Sequence, residues 1–200
     1  VGEILSQAKP TTVMVVGGVD SGKTSLSAYL ANKALKEGKR VALIDADLGQ
    51  ADIGPPSTIG FSRLTKLVRD PFDVKAEDAY FVGSTSPSGS VRKAIEGLVK
   101  MREAVLKKGT VDLLIVNTDG WVEGEDAVGY KVELVDRVTP HIVVGIQQQE
   151  ELTPLLTALK EKKVIAVESP PAVRRRDRDK RKTLRELSYK KYLRGAKMEM

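Results

Sequence analysis

Residues 17–25 read GGVDSGKTS, and Gly17 to Thr24 satisfy the pattern glycine, any four residues, glycine, lysine, then serine or threonine. Few short patterns restrict a fold as tightly. Glycines let consecutive backbone N–H groups curl around the oxygens of a phosphate. A helix starting at the end of the loop adds the partial positive charge of its free N–H groups. The cradle works only between a buried strand and the first turn of a helix, and both flanks comply. TTVMVVGG (11–18) is a short apolar run ending in glycine, as a buried strand would be. TSLSAYLANKALKEG (24–38) spaces Leu26, Leu30 and Ala34 along one helical face and closes on Gly38 as a C-terminal cap. The loop predicts a nucleotide site built from Gly17, Gly18, Val19, Asp20, Ser21, Gly22, Lys23, Thr24 and Ser25. Lys23 would reach the β- and γ-phosphates, and the Thr24 hydroxyl would ligate Mg²⁺.

The rest of the chain supplies the sheet such a loop needs. RVALIDAD (40–47), AYFVGS (79–84), VDLLIVNT (111–118), HIVVGI (141–146) and KVIAVES (163–169) read as further buried strands. A helix is expected over 88–109, with Val91, Ile95, Leu98 and Val105 on one face, and others near 124–138 and 150–161. Strands that alternate with helices and are apolar along their length imply a mostly parallel sheet covered on both faces, an α/β P-loop NTPase architecture. The length, 200 residues, suits one such domain. Pro170-Pro171 breaks the alternation, so the core is expected over 1–170 and a basic segment with a terminal helix over 171–200.

The net charge of +6 is concentrated in that last segment. Residues 174–191 hold ten Lys/Arg against three Asp/Glu, a net of +7, which leaves −1 for the remainder. A basic tail on a neutral body points to a local phosphate-bearing partner. There is no cysteine, so disulfides and thiolate metal sites are excluded, and an intracellular location is expected. No run of 18 apolar residues suggests a membrane span, and no membrane partner is expected. The chain opens on Val1, as a segment of a longer protein would. The one histidine, His141, opens an expected strand and reads as structural rather than catalytic.

A second acidic motif, LIDADLGQADIGPP, ends the strand after the first helix. Strand carboxyl ends are where ligands bind in open α/β sheets. A carboxylate there holds Mg²⁺ or accepts the proton of an attacking hydroxyl. Asp45 and Asp47 are the two candidates. They are expected on opposite sides of the extended segment, one facing the nucleotide and the other reaching it through water.

Four motifs in order, GGVDSGKTS, DADLGQADIGPP, YFVGSTSPSG and NTDGWVEGEDAVGY, resemble those of the polynucleotide 5′-hydroxyl kinases. This family includes the RNA kinase of the pre-mRNA cleavage machinery, the pre-ribosomal-RNA processing kinase and archaeal relatives. The resemblance runs from about residue 10 to about residue 193. It implies ATP and Mg²⁺ as cofactors and RNA with a 5′-OH end as partner, with single-stranded DNA left open. By the resemblance, Lys23 and Thr24 serve ATP and Mg²⁺, and Asp47 activates the 5′-hydroxyl near the metal. Asp45 and Gln50 belong to the same motif. Trp121 corresponds to a tryptophan that clasps the substrate end, and Gln50 and Ser86 are placed with it as substrate-binding residues. The basic segment is similar to a lid whose arginines, five positions apart, close over ATP. Arg175 with Lys180, or Arg176 with Arg181, would fill those two positions; only arginine offers a planar fork. Eukaryotic members carry flanking domains, and this chain corresponds to the central one.

Two rival functions use the same loop. A switch-type NTPase would use the acidic strand end to position water, although Asn117-Thr118-Asp119-Gly120 is not the guanine-reading Asn-Lys-x-Asp. An ATP-binding scaffold of an RNA-processing complex would need no competent lid.

Overall fold

Seven strands form one sheet in the order β4-β3-β2-β5-β1-β6-β7 in a computed structural model that describes residues 2–6, 10–173 and 176–195. The strands are β1 (Thr11–Gly17), β2 (Val41–Ala46), β3 (Thr58–Leu64), β4 (Asp78–Phe81), β5 (Leu113–Thr118), β6 (Ile142–Gln147) and β7 (Val164–Glu168). The helices are α1 (Gly2–Leu5), α2 (Lys23–Lys36), α3 (Val91–Lys107), α4 (Glu125–Val138), α5 (Thr153–Ala158) and α6 (Arg178–Leu193).

β1 lies inside the sheet, pairing in parallel with β5 on one side and β6 on the other. Its side chains divide by alternation. Met14 and Val16 face one core layer with α3, α4 and α5, whereas Val13 and Val15 face the other, with α1 and α2. Both layers are apolar, which explains why β1, β2, β5 and β6 read as continuous apolar runs. Gly38 adopts φ +73° just past α2, and the Lys39 N–H returns to the Ala34 carbonyl at 3.0 Å, the glycine stop expected there.

One edge differs from the sequence expectation. β3, TIGFSRL, was not anticipated, because Ile59, Phe61 and Leu64 are interleaved with Thr58, Gly60, Ser62 and Arg63. It runs antiparallel to both β2 and β4, so it alone opposes the other strands. AYFVGS does not form a buried strand. It becomes the short edge strand β4, with Phe81 71% exposed. β7 is the other edge and is also largely exposed. α5 is shorter than the segment 150–161 suggested.

His141 is structural: its Nδ1 accepts the Thr12 N–H at 2.9 Å. No helix among the described residues is long and apolar enough to cross a membrane.

Candidate active site

The loop between β1 and α2 lies at the carboxyl end of an interior strand. A Cβ on Gly17 would stand 2.5 Å from the Ile146 carbonyl oxygen and 2.6 Å from Ser21 Oγ, so the position admits only glycine. Gly22 takes φ +100° as the residue before α2, and no side chain caps the helix. Its free N–H groups therefore face the loop, as an anion site requires. The buried Ser21 hydroxyl has no protein partner among the described residues. Lys23 is buried, and its ammonium donates to the Gly18 carbonyl at 2.6 Å. Burial holds that ammonium below the usual lysine range, against the pull of the nearby Asp47 carboxylate.

β2 and β5 deliver the polar groups beside the loop. Their parallel register sets Asp45 next to Asn117. Asn117 Nδ2 donates to Asp45 Oδ1 at 3.1 Å and to Thr24 Oγ1 at 3.3 Å, joining two of the three expected neighbours of a metal. Asp45 is saturated. Its Oδ1 also accepts the Asp47 N–H at 3.2 Å, and its Oδ2 accepts the N–H groups of Asp52 at 2.7 Å and Ile53 at 3.1 Å. Burial, and then Asp47, push its pKa up to about 6. Asp47 is held differently. Its Oδ1 accepts from Gly49 N at 3.1 Å and Gln50 N at 3.0 Å, whereas its Oδ2 accepts no hydrogen bond among the described residues. Burial raises its pKa and the Lys23 charge opposes that rise. The two acids do face different spaces, but strand alternation is not the reason, since residues two apart in one strand share a face. β2 ends at Ala46, and the turn that follows swings Asp47 into the open cavity.

That cavity, about 640 Å³, adjoins the phosphate loop at Gly18, Val19 and Asp20. Asp47, Gln50, Ser86 and Trp121 all line it. Ser86 also caps a short 3₁₀ turn by accepting the Ser88 N–H. Trp121 is half-buried, with its ring stacked on Tyr130 at 5.6 Å between centroids. Sequence reasoning missed Asp119, Tyr130 and Arg185; Asp119 and Arg185 line the same cavity.

The basic segment reaches the loop through Asp20. Asp20 Oδ2 accepts the Arg176 N–H at 2.8 Å and a guanidinium N–H of Arg181 at 3.4 Å. Arg176 and Arg181 line the cavity, whereas Lys180 is exposed and does not. Arg175 lies outside the described residues. α6 rests on the loops after β2 and β3 mainly through polar contacts: Tyr192 accepts the Gly54 N–H at 2.7 Å, and Lys191 donates to the Phe72 carbonyl. Only Ser188 of this helix is buried.

A glycine cradle on an interior strand of a mostly parallel sheet, with a lysine, a hydroxyl and carboxylates at neighbouring strand ends, defines a P-loop nucleotide-binding protein. The family described as "mRNA cleavage and polyadenylation factor CLP1 P-loop" matches residues 17–195, and the chain belongs to that family. A polyribonucleotide 5′-hydroxyl-kinase of Pyrococcus abyssi is 33% identical over 196 residues, covering 98% of this chain and 54% of its own length. The enzyme of the same name from Methanocaldococcus jannaschii is 31% identical, again over 98% of this chain and 54% of its own. The solved structure of a wild-type Clp1p–Pcf11p complex superposes with a TM-score of 0.77 over 96% of this chain and 51% of that one; at 17% identity this shows the fold. The chain thus spans about half the length of the curated relatives it matches.

Proposed function

We propose that this chain is the phosphoryl-transfer domain of an ATP-dependent polynucleotide 5′-hydroxyl kinase acting on RNA. The observation that carries the reading is the large cavity against the phosphate loop, which has room for a second substrate and is lined by a carboxylate, an aromatic plate and arginines. The names of the archaeal relatives support it. Lys23 leaves the Gly18 carbonyl to hold the β- and γ-phosphates. A smaller apolar cavity beside Ser25, Tyr29, Val167 and Val173 receives the nucleobase. The Thr24 hydroxyl and the Asp47 carboxylate fit Mg²⁺, with Asp45 supporting through Asn117. Phosphate oxygens and water would supply the remaining ligands. Mg²⁺ supplies charge neutralisation on the transferred group.

Asp47 Oδ2 orients the 5′-hydroxyl and takes its proton as the 5′ oxygen bonds to the γ-phosphorus and the bond to ADP breaks. Gln50 and Ser86 position the acceptor, and Trp121 stacks its terminal base. Arg176 and Arg181 are the pair of lid arginines that neutralise the developing charge. The segment from residue 171 onward serves as the lid on a core of residues 1–170. Its polar seat on the loops after β2 and β3 suits an element that lifts and closes.

Incubation with γ-labelled ATP and 5′-OH oligonucleotides of RNA and DNA tests this. Label on the RNA 5′ end is expected, and Lys23→Met is expected to abolish it. Release of free phosphate without transfer would instead mark a nucleotide hydrolase, and neither product a scaffold.

A further inference from the structure

Asp119 follows the last residue of β5 and is buried at the cavity wall. Three donors converge on its carboxylate. Oδ1 accepts the Trp121 N–H at 2.9 Å, and Oδ2 accepts the Tyr130 hydroxyl at 3.0 Å and the Lys131 ammonium at 2.9 Å. Lys131 also donates to the Asp119 carbonyl at 3.0 Å. Tyr130 and Lys131 are consecutive on α4 and both buried, Lys131 completely. The Tyr130 ring then lies along the Trp121 ring with 28° between planes. Gly120, between the acid and the indole, abuts the phosphate loop, where an added Cβ would meet Val19 N at 2.8 Å.

We propose that Lys131, Asp119 and Tyr130 are positioning residues that clamp the Trp121 indole against the acceptor cavity and thereby set the affinity for the terminal base of the polynucleotide. The inference rests on the kinase reading and deepens it. Stability alone does not account for the set. A buried ion pair is commonly replaced by apolar residues of similar volume without loss of stability. What this pair adds is direction. The carboxylate fixes the backbone of Trp121 and the phenol at once, and the phenol ring fixes the indole. Burial and the Asp119 charge raise the Tyr130 pKa, so the hydroxyl stays protonated and keeps donating. A plate held in one orientation stacks on a base without first losing rotamer freedom, so the clamp acts on binding of the polynucleotide rather than on ATP or the transfer step.

Trp121 is the only tryptophan of the chain, so its emission and near-ultraviolet dichroism report on the clamp directly. Tyr130→Leu removes the stack, Tyr130→Phe keeps the ring and loses the hydroxyl, and Lys131→Met removes the charge. For Tyr130→Leu the KM for a 5′-OH RNA oligonucleotide is expected to rise about tenfold, a fraction of a full stacking loss. KM for ATP and kcat at saturating RNA should stay within about twofold, and the indole dichroism should weaken. Tyr130→Phe should lie between parent and Tyr130→Leu. If Lys131→Met does not fold, the two Tyr130 variants decide alone. A changed indole spectrum with an unchanged RNA KM would overturn the clamp, as would equal rises in both KM values. If the parent transfers no phosphoryl group, the kinase reading fails, and quenching of Trp121 emission by the oligonucleotide takes the place of KM. Quenching that weakens in Tyr130→Leu would sustain the clamp, and absence of quenching in the parent would overturn it.

Discussion

Asp52→Asn should make the nucleotide-free protein more stable at pH 8 and, by a smaller margin, at pH 5. The Asp52 side chain is mostly buried beside Asp45, Asp47 and Asp70. Burial, and then the neighbouring acids, push its pKa up to about 7, while Asp45 sits at about 6. An acid whose folded pKa is raised contributes stability that is complete below its unfolded pKa and is lost as the pH climbs through the folded one. Stability should therefore fall between about pH 4 and pH 8. Groups shifted the other way, Asp112, Glu3 and Glu96, lose their contribution only in more acid solution. Taken alone, the rise from 3.8 to about 7 at Asp52 corresponds to roughly 4 kcal/mol. The repulsion is shared with Asp45 and Asp47, and the side chain retains some solvent, so about half, roughly 2 kcal/mol, is assigned to Asp52. Asparagine keeps the shape and removes the charge. In a domain of this size that gain raises Tm by about 4–8 °C. Thermal unfolding with a chelator present, at pH 5 and pH 8, measures it. A lower Tm for Asp52→Asn at pH 8, or a parent protein more stable at pH 8 than at pH 5, would refute the reasoning.

Asp47→Asn should lower transfer by about 10² or more at saturating ATP, as loss of a general base does, while ATP affinity changes little; a loss of ATP binding alone would show that the acid serves the metal only. Asp20→Asn removes the charge that holds Arg176 and Arg181 at the phosphate loop. Amide exchange over residues 176–181 should then quicken and ATP should bind several-fold more tightly, because a carboxylate leaves the neighbourhood of the phosphates; weaker ATP binding would mean that Asp20 acts as more than a tether.

Local features were readable without coordinates. The cradle from Gly17 to Thr24, the glycine stop at Gly38 and the four apolar inner strands each depend on features within one segment: permitted backbone angles, helix-end N–H groups and side-chain character. Trp121 and Asp47 stood out through motif resemblance, and the fold places both against one cavity. What the sequence could not express are partnerships between distant segments. Nothing near Lys131 announces that a lysine on α4 is completely buried, because its partner Asp119 arrives from the end of β5. The pairing of Asp45 with Asn117 follows from the register of β2 on β5. β3 escaped notice because its apolar residues are interleaved with polar ones, and its reversal follows from its pairing with β2, which nothing within the segment encodes. Arg176 and Arg181 meet Asp20 because of where the segment around α6 docks, across a separation of more than 150 residues. Such contacts depend on topology, since a charge or hydrogen-bonding group is committed only when the chain brings its counterpart within reach, and no periodicity along either segment encodes that meeting.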